Sequence, residues 1–194
     1  MRCQTIIDLL EELSPLKYAL DWDNCGLLCG RRDKDVKKIY IALDAVDDVV
    51  NSAADSGADM LVTHHPLIFR PIKKINSDDF MGRRLLKLIK NDISYYAMHT
   101  NFDIMGMADA AAECLGLRDT DILDVTYEEA PNLSEARDDS GALPSGDGRV
   151  AAAMPAQTEP SIREGIGRTG RLPRIMSLNE CSEYVKERFD VEHV

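Results

Sequence analysis

The sequence predicts an α/β fold: a three-layer-like domain with a mostly parallel sheet and βαβ units, followed by an incomplete second α/β half. Three observations predict it. Short apolar runs of strand length alternate with segments of helical period between residues 38 and 116. Two of those runs, at 61–68 and 95–103, end abruptly in polar, metal-competent side chains. Buried strands have that look when they deliver a site at their C-terminal ends. Beyond residue 127 the alternation fades. The expected organisation is an N-terminal metal-site domain over 1–127, an irregular linker of low order over 128–164, and the start of an incomplete C-terminal half over 165–194.

The first element is a helix. Ile6, Ile7, Leu9, Leu10 and Leu13 make one apolar face, and Ser14-Pro15 ends it. After a short turn through Tyr18, the stretch Asp21-Trp-Asp-Asn-Cys-Gly26 suits a tight turn in which Asp23 and Asn24 cap backbone groups; the alternative is that they line a site. A short apolar run closed by Gly30 follows. Residues 38–44 read as a strand buried on both faces, residues 46–57 as a helix ending at Gly57, and residues 59–63 as the next strand. Strand, helix and strand in that order make a βαβ unit, hence parallel pairing with a right-handed crossover.

A helix capped by Ser77 or Asp78 runs to about residue 90, and residues 93–98 form a third strand in the same direction. A further helix is expected to follow Gly106 and stop at Gly116. Residues 128–160 are rich in Pro, Ser, Gly, Ala, Asp and Glu without a sustained period, which reads as a long loop. The Gly-rich run at 165–170 is a turn-rich strand connection and no phosphate loop, since no Gly-Lys-Ser/Thr follows it. A last helix spans about 178–189 with Ser177 as its cap, and Val191–Val194 looks like the start of another strand.

Composition narrows the function classes. At 194 residues with 44% hydrophobic and 29% charged residues, this is the make-up of an ordinary globular protein. No apolar run approaches the roughly 20 residues that span a bilayer, and acids interrupt the N-terminal segment where a signal peptide needs an apolar core. A cytoplasmic location is expected. The net charge of −11 argues against a nucleic-acid partner, whose affinity would need Lys and Arg. Five cysteines form no disulfide framework, and Cys25 and Cys29 lack the second pair that a structural zinc site requires.

The chemistry concentrates in His64, His65, His99 and Asp103. Three of the four histidines stand at the ends of two strands. Consecutive strand residues point to opposite faces, but Pro66 ends the ladder there, so each of His64 and His65 is free to serve a different ion. A carboxylate such as Asp103 can bridge ions about 3.5–4 Å apart, the spacing of two-metal hydrolytic sites. Imidazole and carboxylate together suit two divalent transition-metal ions: zinc, iron, manganese or nickel. His99 is a ligand, an outer partner or the proton-transfer group.

At these positions the chain resembles the Nif-three-like dinuclear metal-centre family, whose members are often labelled type 2 homologues of GTP cyclohydrolase 1. The likeness lies in 22–30, Ile41-Ala-Leu-Asp-Ala45, 57–69 with its Thr-His-His-Pro-Leu-Ile-Phe, His99-Thr-Asn-Phe-Asp103, the helix at 106–117 and 165–173. The resemblance implies a ring-shaped homohexamer with metal sites facing its interior. It also implies His64, His65 and Asp103 as metal ligands, with a glutamate rather than Asp103 as the bridge. The family completes its site with a His and a Glu four residues apart near the C-terminus. That pattern is absent from these 194 residues, and adjacent Glu192 and His193 are poor substitutes, so a C-terminally truncated chain is expected. Two functions follow from the resemblance and the residues together. One is a metal-dependent hydrolase acting on a nucleotide or pterin-like small molecule. The other is a non-enzymatic metal-binding or regulatory scaffold.

Overall fold

The computed structural model describes residues 1–129 and 161–194. Its centre is a four-stranded sheet in the order β1-β4-β3-β2, made of β1 (Gly26–Cys29), β2 (Ile39–Ala42), β3 (Met60–Thr63) and β4 (Ser94–Ala97). β2, β3 and β4 run parallel, as the βαβ reading requires, while β1 pairs antiparallel with β4. All four residues of β3 and of β4 are buried. These two central strands carry the site at their ends.

Helices cover the sheet on both sides. α2 (Asp47–Asp55) and α3 (Phe80–Lys90) flank one core, in which Val50, Ala53 and Leu88 meet Leu61, Tyr95 and Ala97. α1 (Cys3–Leu13) lies on the other face, where Cys3, Ile6 and Ile7 pack with Met60, Val62 and Tyr96. The result is helix, sheet, helix: three layers. α3 is capped by Asp79, not by Ser77 or Asp78; its carboxylate accepts the Gly82 N–H at 2.7 Å, while Asp78 is engaged with Asn76. Gly30, with φ 98°, ends β1 beside Ser94, whose Cα lies 2.6 Å from where a Cβ would stand. Only glycine allows that approach.

Several expectations need correction. β2 is not buried on both faces: Ile39 and Ile41 are 41% and 76% exposed, because α1 lies over the β3 and β4 side of the sheet and leaves the edge strand uncovered. The helix expected after Gly106 begins earlier, as α4 (Thr100–Phe102), a π-helical turn over Asp103–Met107, and α5 (Ala108–Cys114). The segment entering the proposed linker is a strand, β5 (Arg118–Glu129), paired antiparallel with β6 (Ile162–Arg171), which takes in the Gly-rich run. Glu128, Glu129 and 162–164 are therefore paired residues, and 130–160 of the expected loop lie outside the described residues. α6 (Leu178–Phe189) starts at the expected Ser177, with a reciprocal capping box to Glu180. Val191–Val194 forms no strand; Asp190 in the left-handed region closes α6 instead.

Candidate metal centre

The parallel pairing of β3 with β4 aligns Thr63 with Ala97, so the residues just past each strand end emerge side by side. From β3 come His64 and His65; from β4 come Met98 and His99. Past Thr63 the backbone leaves the ladder and turns, as Pro66 requires. Tyr95, reaching up from β4, holds that turn. Its hydroxyl accepts the Leu67 N–H at 2.7 Å and donates to the His65 carbonyl at 3.1 Å, beside the Thr63 hydroxyl at 2.8 Å. Regular strand geometry would send consecutive side chains to opposite faces. Here the turn brings the His64 and His65 rings to a centroid distance of 4.9 Å.

His99 closes the group, with its ring 5.2 Å from that of His64 and 5.6 Å from that of His65. One ring nitrogen from each of the three lies within 4.8 Å of the others. Two nitrogens on a single tetrahedral zinc stand about 3.4 Å apart, so this spread admits two ions as readily as one. Asp103, at the start of the π-helical turn, places Oδ1 3.4 Å from His64 Nε2. Local π-helical turns concentrate at functional sites because they re-aim a side chain from a helix. All four sequence-derived residues, His64, His65, His99 and Asp103, are thus brought together.

The outward-facing nitrogens explain the arrangement. His64 Nδ1 lies 2.8 Å from the Met98 carbonyl, which can only accept, so that nitrogen carries the proton. His65 Nδ1 is 2.7 Å from Asp44 Oδ1, and His99 Nδ1 is 2.9 Å from Asp23 Oδ1. Each imidazole is therefore tethered through Nδ1 to an oxygen and presents a free Nε2 lone pair, the pattern found where histidines ligate metals. Three imidazoles and a carboxylate form a donor set for borderline transition metals. On these grounds the residues present fit the metal ions that the resemblance implies.

Asp23 and Asp44 are the residues whose part in the site the sequence left open or missed. Asp23 does cap backbone, as the turn reading expects, but the same carboxylate also touches the site. Burial opposes its ionisation, yet hydrogen bonds from Cys25, His99 and Thr100 hold its carboxyl well below the usual range. The same contact acts on the thiol: burial and Asp23 push Cys25 up to about 11. Cys25 donates to Asp23 at 3.0 Å and is a free thiol, as are the other four cysteines. Asp44 follows the apolar run of β2 much as His64 follows that of β3. That shared position was the signal available for it.

An α/β protein with a histidine cluster at the carboxyl ends of adjacent parallel strands is the class that fold and site define. The chain belongs to the Duf34/NIF3 (NGG1p interacting factor 3) family, whose model matches residues 1–194. A relative from Clostridium perfringens, named GTP cyclohydrolase 1 type 2 homolog, is 40% identical over 196 residues, covering 100% of this chain and 63% of the relative. A Bacillus subtilis protein of the same name is 34% identical over 169 residues, 86% of this chain and 41% of its own length. Among solved structures, a Bacillus cereus protein related to NIF3 matches 99% of this chain and 71% of its own, at 30% identity and TM-score 0.77. The chain thus spans less than two thirds of the length of these curated relatives.

Proposed function

We propose that this chain binds two divalent transition-metal ions and that the site serves hydrolysis of a nucleotide or pterin-like small molecule. The observation that carries the reading is the common state of the three rings. His64, His65 and His99 each have Nδ1 bonded to an oxygen, which leaves Nε2 as the free donor of each ring, and one ring nitrogen from each lies within 4.8 Å of the others. Imidazole donors brought this close together would be stabilised by bound cations. His64, His65 and Asp103 would hold the ions, each histidine on its own. The relatives' name points to a nucleotide or pterin-like substrate. When bound, ions at such a site supply Lewis-acid polarisation.

The chain's own residues complete the chemistry. His99 sits within reach of the same space, with Nε2 free to take or return a proton. Asp23, Asp44 and Asp103 lie within hydrogen-bond or ion-pair distance of the three rings and give the pocket a sign that favours cations. We further propose a cytoplasmic protein that works as a homo-oligomer, a hexamer by family resemblance. Among the described residues no helix is long and apolar enough to cross a membrane.

Elemental analysis of protein purified without added metal tests the reading. About two transition-metal ions per chain are expected, with a loss of at least one in His65→Ala. Less than one loosely held ion would sink the dinuclear site. Metal-loaded protein is then screened for turnover of nucleoside triphosphates and reduced pterins. Full metal with no turnover, and His64→Ala leaving partner binding intact, would move the assignment to a metal-binding scaffold.

A further inference from the structure

We infer that Asp23 is the positioning residue of the metal centre: its buried carboxylate fixes the His99 ring so that Nε2, and not Nδ1, faces His64 and His65. This rests on the reading of the histidine cluster as the working site and adds the residue that sets its geometry.

The Asp23 side chain is fully buried. Its Oδ1 stands 2.9 Å from His99 Nδ1 and accepts the Asn24 N–H at 2.8 Å. Its Oδ2 accepts the Thr100 N–H at 3.0 Å, the Thr100 hydroxyl at 2.5 Å and the Cys25 thiol at 3.0 Å. A carboxylate has about four lone-pair sites, so five donors saturate it and leave no freedom to rotate. Ionised, it can only accept. The proton between Asp23 and His99 therefore belongs to Nδ1, and the ring's lone pair is left on Nε2.

The other two histidines are held less firmly. His64 leans on a neutral carbonyl, and the partner of His65, Asp44, has a side chain 47% exposed. The turn that carries Asp23 is itself fixed at several points. Asp23 N–H donates to Leu20 O at 2.9 Å, and the Leu20 N–H donates to Thr100 Oγ1 at 3.0 Å. Asn24 Nδ2 donates to Ile68 O at 2.6 Å, which ties the same turn to the segment following His65. Two consecutive residues thus reference both histidine-bearing strand ends to one another. Trp22 stacks its edge near His99 and Phe69, covering the outside of that junction.

The test uses the full chain, metal-free, with isotope-labelled histidine, read by long-range proton–nitrogen correlation; His99 is assigned by the signal lost in His99→Gln. In the wild type His99 is expected as the pure Nδ1–H tautomer, and in Asp23→Asn as a mixture or as Nε2–H. With His99 acting as an outer partner of the ions held by His64, His65 and Asp103, cobalt(II) titrated into the same samples should bind about 10–100-fold more weakly to Asp23→Asn. Cys25→Ala removes a different donor from the same carboxylate and leaves the His99 bond, so it should keep the wild-type tautomer and affinity even if its melting temperature falls. A wild-type His99 in the Nε2–H form overturns the inference. So does an Asp23→Asn protein with unchanged tautomer and cobalt affinity. Should Asp23→Asn fail to fold, the wild-type spectrum decides alone. A wild type that binds no cobalt defeats the proposed function, while the tautomer still decides the role of Asp23.

Discussion

The Tyr95 hydroxyl is buried at the centre of the turn that carries His65, accepting from Leu67 N–H and donating to the His65 carbonyl. Removing it in Tyr95→Phe leaves a buried N–H without its acceptor, at a cost of about 1–3 kcal/mol. Chemical denaturation should report that loss, and the His65→Ala metal-binding defect should appear in a milder form. A Tyr95→Phe protein of wild-type stability would mean that Pro66 and the Thr63 hydroxyl, which donates to the His65 carbonyl at 2.9 Å, hold the turn without it. His64, His65 and His99 were legible in the sequence because histidine is rare here and each one ends an apolar run. Asp23 and Asp44 were not separable on the same grounds. The chain has 34 acidic residues, so the place of Asp44 just past an apolar run does not single it out as a histidine's would, and nothing local marks Asp23. Tyr95 read simply as a buried strand residue; its role requires knowing that β4 is the neighbour of β3.

Among the elements, the parallel β2–β3–β4 order followed from the strand–helix–strand alternation, while the environment of β2 did not. An unbroken apolar run looks the same at the centre of a sheet as at its edge; only the number of helices on each face distinguishes them. β5 was missed for the opposite reason. Leu123, Val125 and Tyr127 do alternate with polar residues, but three apolar positions beside Arg118, Asp119, Asp121 and Asp124 are a weak signal, since the ribbon with β6 is largely exposed. The start of β3 carries a separate device. Asp59 accepts the backbone N–H groups of Lys37 and Lys38 at 2.7 and 3.0 Å, joining the entries of β2 and β3. Those bonds, chiefly that from Lys37, hold its carboxyl below the ordinary 3.8. A depressed folded-state pKa means that the stabilisation is present above the unfolded value and is lost as pH falls through the folded one. Asp59→Asn should therefore lower stability by about 1 kcal/mol at neutral pH, a partly exposed site being screened by solvent. Melting curves of wild type and variant should converge as the pH drops below the ordinary carboxylate value of 3.8. A gap that persists unchanged into strong acid would show that the Asp59 charge plays no part.

At the scale of the whole molecule, the three layers are unequal. One side of the sheet carries α2 and α3, the other α1 with an apolar groove of about 310 Å³ beside it. Leu9, Leu13, Ile39, Ile41 and Leu43 on or near this side are 52%, 59%, 41%, 76% and 59% exposed. Fully burying one such side chain gains about 1.5–3 kcal/mol, and association costs about 4–15 kcal/mol in lost freedom. Five half-exposed side chains from each of two copies bring the two figures close. The net charge of −11 opposes close approach and weakens with added salt. Self-association through this face is therefore expected to be weak and reversible, detectable at high protein concentration and stronger in high salt. Light scattering across a dilution series in low and high salt measures it. Ile41→Lys should weaken association by about tenfold or more, the loss of one side chain's burial on each copy. It should leave the melting temperature nearly unchanged, because Ile41 is already 76% exposed. A wild type that stays monomeric in high salt, or an Ile41→Lys protein that associates as the wild type does, would falsify a role for this face in self-assembly and leave it to other polypeptide. The histidine cluster opens beside the same groove, which His64 helps to line. Association there would therefore change access to the site, and metal uptake measured along the same dilution series should slow as the mass rises.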